Sequence, residues 1–158
     1  MAMEVNGYKI EPGADLTGAD LRGAILLETD LNVANLTGAN LTGAGLVGAI
    51  LWFANLTKAN LTGAFLSGAD LTGADLTEAN LYTAELIGAD LTAAELIGAD
   101  LTKANLTYTN LTAANLTNAN LTNAELIGAD LTKANLSGAN LIGADLQGAT
   151  MPDGTIHN

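Results

Sequence analysis

The sequence predicts an all-β solenoid, and three observations carry that prediction. From Leu16 to Leu146 every fifth residue is leucine, 27 of them in one unbroken frame. Two positions before each leucine stands alanine, with Thr29 and Thr109 the only exceptions. The residue between them is mostly Asp or Asn, the residue after leucine is mostly Thr, and the next is Gly in just over half of the units.

A period of five suits neither regular structure. An α-helix advances about 100° per residue, so leucines spaced by five would spiral around it. A flat strand changes face at every residue, so an odd period would send successive leucines to opposite sides. A chain that bends once per unit can bury every leucine. In its short extended part, alanine and leucine lie two apart and share the inward face. The residue between them and most of the two corner residues face out. Glycine suits a corner that needs positive φ or close backbone approach, as at Gly18, Gly23, Gly38 and Gly43. Wound up, the units stack coil on coil like parallel strands about 4.8 Å apart.

Tandem units such as Ala69-Asp70-Leu71-Thr72-Gly73 and Ala129-Asp130-Leu131-Thr132-Lys133 resemble the pentapeptide-repeat family, whose signature is A-(D/N)-L-x-x. The resemblance spans residues 14–151 and extends to the cyanobacterial members. It implies a right-handed quadrilateral parallel β-helix with four units, twenty residues, per coil. About seven coils would then make a rod about 34 Å long. The residues alone leave the number of sides open. Counting every fourth unit gathers the outward apolar residues Ile25, Leu27, Val47, Phe65, Ile87, Tyr108 and Ile127. Counting every third gathers Ile50, Trp52, Phe65, Tyr82, Ile97, Ile127 and Ile142 equally well.

In chain order, residues 1–13 lie outside the frame and are expected to cap the first coil. Val5, Tyr8 and Ile10 would fold over it, with Pro12-Gly13 turning into Ala14, because an uncapped solenoid end exposes core and unpaired strand edges. Residues 14–151 form the repeat array. Its core is expected to hold one leucine column at Leu16, Leu36, Leu56, Leu76, Leu96, Leu116 and Leu136. The stretch to about Asn55 is least regular on the outside: Ile25, Leu27, Val33, Val47, Ile50, Trp52 and Phe53 occupy slots that are usually polar. Beyond it the outward slots are more uniformly Thr, Asn, Asp and Gly. Residues 152–158 are expected to be an exit tail and lid, with Met151 carrying the inward frame on and Ile156 five places later.

Composition narrows the function. Seventeen acids against five bases give a net charge of −12. Direct nucleic-acid binding is not expected, because phosphate recognition relies on Lys and Arg. No stretch is apolar enough to cross a membrane. Residues 1–13 contain no secretory signal, so a cytoplasmic protein is expected, periplasmic or lumenal if a leader has been removed. With no cysteine, no disulfide can form.

No catalytic, cofactor or metal residues are expected, and the protein is not expected to be an enzyme. The single histidine, His157, is the penultimate residue, and neither serine, Ser67 or Ser137, has a histidine near it in the frame. Asp70 and Asp90 would stack on adjacent coils of twenty residues, yet a full oxygen cage for Ca²⁺ is missing. Thr17, Thr37, Thr57 and Thr77 would form a column, and ice binding through such Thr columns is a minor alternative function, although the usual paired T-x-T spacing is absent.

The resemblance implies a non-enzymatic scaffold that binds another protein or itself. The contact patch is expected at Ile25, Leu27, Val47, Trp52, Phe53 and Phe65. The alternative is a DNA-mimic modulator of DNA gyrase or another type II topoisomerase, as the resemblance implies from some quinolone-resistance members. Seventeen acids over about 34 Å is one charge per about 2 Å, near the DNA value. The chain departs from that subgroup in its uniform leucines, its lack of a C-terminal dimer module and its lack of a projecting loop.

Overall fold

Backbone hydrogen bonding explains why five residues make one side of a coil. In the computed structural model, which describes residues 3–158, each unit's amides follow one scheme. The leucine amide reaches the coil above, as Leu16 N donates to Asn35 O at 2.7 Å, and the corner amide does the same, Gly18 N to Thr37 O at 2.9 Å. The middle residue reaches the coil below, Asn35 N to Ala14 O at 2.9 Å. The alanine amide closes the turn, Ala19 N to Leu16 O at 3.0 Å. In the inner coils only the amide after leucine lacks a backbone partner. Since buried or turn amides must be satisfied somewhere, this one decides the surface chemistry described below.

Parallel bridges join Asp15 to Asn35, Asn35 to Asn55 and so on to Asp130 with Thr150, always twenty residues apart. Four units therefore complete one coil, and the chain forms a right-handed quadrilateral parallel β-helix of about seven coils. Its four sides can be numbered by their first leucines: side 1 begins at Leu16, side 2 at Leu21, side 3 at Leu26 and side 4 at Leu31. Among the described residues no helix is long and apolar enough to cross a membrane.

The core is a ladder of leucine and alanine. Leu16, Leu36, Leu56, Leu76, Leu96 and Leu116 are all buried, at 2% exposure or less. Leu136 departs from the expectation and is half-exposed, as are Leu141 and Leu146, because no further coil stacks above them. Thr109 and Thr29 replace alanine without orphaning a hydroxyl. Thr109 Oγ1 donates to Leu86 O at 2.7 Å, and Thr29 Oγ1 to Leu26 O at 2.8 Å.

The two ends are finished differently. At the start, β1 (Met3–Val5) and β2 (Tyr8–Ile10) form an antiparallel hairpin. Its turn is Asn6-Gly7, with φ of 52° and 82°, as a type I′ hairpin requires. Ile10 is buried in the core cluster, Val5 and Tyr8 pack against it, and Asn6 Nδ2 donates to Asp20 O at 3.1 Å. The first two residues of the expected cap, Met1 and Ala2, lie outside the described residues. At the other end the chain reverses after Met151. Ile156 pairs antiparallel with Thr150, with His157 N donating to Ala149 O at 2.8 Å. The inward frame thus stops at Met151, and Ile156 is exposed on a lid that covers side 4 alone.

Every corner residue has positive φ, between 54° and 72°, which makes each corner a type II turn. Fourteen of the 27 corners are glycine. The others hold side chains in the left-handed region at a cost of about 1–2 kcal/mol each, and Val33, at φ 55°, is β-branched besides. Corner side chains lean toward the next coil. The Phe53 ring lies over Gly73 so closely that a Cβ there would collide with it. Val33→Gly is expected to stabilise the protein by about 1 kcal/mol. Gly73→Ala is expected to destabilise it by more than that, and part of the loss should return in Phe53→Ala/Gly73→Ala; thermal unfolding of the four proteins measures this.

Candidate functional site

The amide after leucine explains both the polar surface and its interruption. In every unit whose middle residue is Asp or Asn, that side chain's Oδ1 accepts this amide. Thr37 N donates to Asn35 Oδ1 at 3.1 Å and Thr132 N to Asp130 Oδ1 at 2.9 Å. Threonine follows because its hydroxyl can bond the same oxygen, Thr37 Oγ1 to Asn35 Oδ1 at 2.6 Å. Asx and Thr are therefore a coupled pair. Where the middle residue is not Asp or Asn, the acceptor is missing and threonine loses its reason.

Seven units break the pair, with Ile25, Gly45, Ile50, Phe65, Glu85, Glu95 and Glu125 in the middle. None is followed by threonine: the next-but-one residues are Leu27, Val47, Trp52, Ser67, Ile87, Ile97 and Ile127. Bridges run from Ile25 through Gly45 and Phe65 to Glu85, and on through Asn105 to Glu125. Five of the seven units thus stand on side 3. The twenty-residue coil selects the every-fourth grouping and scatters the every-third one over several sides.

The six expected patch residues divide accordingly. Ile25, Leu27, Val47 and Phe65 share side 3, where Ile25 is 70% exposed and Phe65 44%. Trp52 and Phe53 lie on side 4, around the corner from Val47, with ring centroids 5.7 Å apart in an edge-on arrangement at 71°. Exposed Val33 neighbours them on the coil below. The exposed apolar residues of the first three coils thus fall into two groups, one on side 3 and at its corner with side 4, the other at the far corner of side 4. Ile87 and Tyr108 continue the first group along side 3 onto the fourth and fifth coils.

Charge distinguishes this face as well. Arg22 and Lys103 stand on side 2, Lys58 on side 1 and Lys133 on side 4, whereas side 3 carries only the acids Glu28, Glu85, Glu125 and Asp145. On side 1, Lys58 Nζ lies 3.5 Å from Glu78 Oε2. On side 2, Arg22 grips Asp20 at 2.6 Å. Hydrogen bonds from Arg22 hold the Asp20 carboxyl down at about 2, and Thr132 similarly lowers Asp130.

Other side chains singled out in the sequence are placed without convergence. Asp70 and Asp90 are bridged on side 4, and no group of potential ligands among the described residues could hold a metal ion. Ser67 is on side 3, Ser137 on the last coil, and His157 on the exposed lid. The Thr17 and Thr37 hydroxyls point back to Asp15 and Asn35. No pocket opens among the described residues.

The sequence matches the Pentapeptide repeats model in eight copies over residues 14–52, 54–92, 84–123 and 114–152. Among solved structures it is similar to HetL of the cyanobacterium Nostoc sp. strain PCC 7120, described as involved in heterocyst differentiation regulation. That likeness is 33% identical, covers 92% of this chain and 86% of HetL, and has a TM-score of 0.38. A second pentapeptide repeat protein from Nostoc PCC 7120 is 46% identical, covering 51% of this chain and 66% of its own, with a TM-score of 0.50. QnrB1, a plasmid-mediated fluoroquinolone resistance protein, shares the fold at 21% identity and a TM-score of 0.54, covering 89% of this chain and 76% of QnrB1. No curated protein matches the sequence.

The Asp20–Arg22 contact yields a pH test. A depressed carboxyl contributes stability above its ordinary value of 3.8 and loses it as pH falls through the folded value. The thermal midpoint of Arg22→Ala should lie below wild type at about pH 5, and the gap should close between the ordinary carboxylate value and pH about 2.

Proposed function

Because the chain belongs to the pentapeptide-repeat family, we propose that it works as a non-enzymatic, rigid rod that holds a partner protein on side 3 and its edge with side 4. The observation that carries this reading is the clustering of five of the seven broken Asx–Thr pairs on one side. Every such break removes an internal hydrogen bond and, at Ile25/Leu27 and Ile50/Trp52, places apolar groups in polar slots. The local fold gains nothing from either change. Exposed apolar side chains gathered on a protein otherwise clothed in Thr, Asn and Asp are the usual mark of an interface. Trp and Phe are residue types that anchor interfaces.

DNA mimicry is the weaker reading. The acids are shared among all four sides and the two ends, with no side of the rod carrying most of them. The likeness to QnrB1 speaks to fold alone at its level of identity. Addition of the protein to a gyrase supercoiling reaction should leave supercoiling unchanged, and inhibition would favour mimicry.

Affinity capture from the native host, compared across variants, tests the interface. Phe65→Asp and Trp52→Asp should each lose the captured partner, or a self-associated species in sedimentation. Ile142→Asp, which charges a more exposed apolar residue on side 2, should retain it. Loss with all three variants, or with none, would remove the proposed face.

A further inference from the structure

Every bridge that joins one coil to the next is parallel, but the bridge that ends the array is antiparallel: Thr150, on side 4 of the final coil, pairs with Ile156 of the returning lid. The lid takes up the backbone groups that side 4 offers upward. Met151 N donates to Thr155 O at 2.7 Å, and Ala149 O accepts from His157 N at 2.8 Å. The same kinds of group stand open on the other three sides. The amides of Leu136, Leu141 and Leu146 and the carbonyls of Ala134, Ala139 and Ala144 have no backbone partner among the described residues, and the three leucines are half-exposed. The lid adds little to the core, since residues 153–158 are all exposed.

An antiparallel strand on side 4 is what a second copy would present there. A two-fold axis perpendicular to the rod, through the corner between sides 4 and 1, sets two final coils end to end with opposed strand directions. Side 1 of each copy then faces side 4 of the other, and side 2 faces side 3. A coil climbs about 4.8 Å per turn, and the high side of one copy meets the low side of its partner, so the gap is even all round. Leu141 N meets Ala144 O and Leu146 N meets Ala139 O, the exchange of an antiparallel ladder. Leu136 N would meet Ala149 O, and Met151 N would meet Ala134 O, but the lid already holds Ala149 O and Met151 N. Opposed middle slots are Asn135 with Thr150 and Asn140 with Asp145, so no two acids meet. The closed lid forbids the fit, because its strand on side 4 is about 4.8 Å thick and keeps the other sides apart. We propose that residues 152–158 are an autoinhibitory lid that imitates the side-1 strand of a second copy, with Ile156 in the place of Asn135. Opening the lid lets two copies pair through their final coils. This contact is separate from side 3 and does not rest on the function proposed above.

Sedimentation equilibrium at micromolar protein tests this, with every variant built on Phe65→Asp so that association through side 3 is silent. Phe65→Asp alone should be a monomer, its lid closed. Two further changes loosen the lid in the full chain. Gly154→Val puts a β-branched residue at φ 85°, and His157→Pro removes the donor to Ala149 O. Together they should shift the mass toward twice the monomer. Deletion of residues 153–158, all exposed, should do so more completely. Adding Leu141→Glu, which charges the open end, should return either protein to monomer. Hydrogen exchange at the Leu136, Leu141 and Leu146 amides should slow about tenfold on pairing. A monomer after deletion, with the far-UV circular dichroism of the parent, overturns the proposal. If the deletion unfolds the protein, a monomeric Gly154→Val/His157→Pro chain with a fast-exchanging Met151 amide overturns it equally. A dimer that survives Leu141→Glu overturns it too, as does end-to-end pairing of Phe65→Asp with its lid closed.

Discussion

The structure depends on a left-handed corner after every leucine. That corner turns an extended triplet by one side and returns the next alanine and leucine to the interior. Its demand for positive φ is met by glycine in about half of the units and by strained ordinary residues in the rest. The energy lost there is offset by burial of a leucine and an alanine per unit and by the three inter-coil hydrogen bonds each unit makes. Because each side uses the same five-residue solution, the coil needs no long loop and the surface offers no cleft.

One amide per unit, the one after leucine, is left over by the coil-to-coil ladder, and it organises the surface. Asp or Asn takes it up and threonine supports the same oxygen. The outer face is therefore polar for a structural reason, and departures from it are informative. Side 3 holds most of them. Leu27, Val47 and Ile87 stand where threonine would, and their middle residues Ile25, Gly45 and Glu85 supply no Asx oxygen. On side 3 the fold gives up these internal hydrogen bonds in a column, and this is the ground for the interface proposed there.

The rod's ends are unlike each other in the same physical terms. At the start a type I′ hairpin lays Ile10 on the first coil and buries Leu16. At the finish the reversed tail covers only the side of Thr150, so Leu136, Leu141 and Leu146 stay half-exposed. Asn6-Gly7 between Val5 and Tyr8 is a strong hairpin signal, legible in the sequence although the expectation for residues 1–13 was only a cap. The early end of the tail's frame had no such signal, since Ile156 sits at the proper interval and only the chain reversal at Pro152-Asp153-Gly154 takes it out.

The amino-acid sequence alone determined the bend, the inward ladder and the polar pairing, because each is a relation within one five-residue unit. Leu26 and Ala24 must share a face whatever the number of sides. The closure of the coil was decided only by tertiary structure, because it is a relation between residues twenty apart, Ile25 with Gly45 and Gly45 with Phe65. Outward apolar residues fitted a three-unit and a four-unit repeat equally well, so no local pattern could choose. Once hydrogen bonding joins position to position at an interval of twenty, Ile25, Leu27, Val47 and Phe65 become one face, and Trp52 and Phe53 fall at the far corner of the next side.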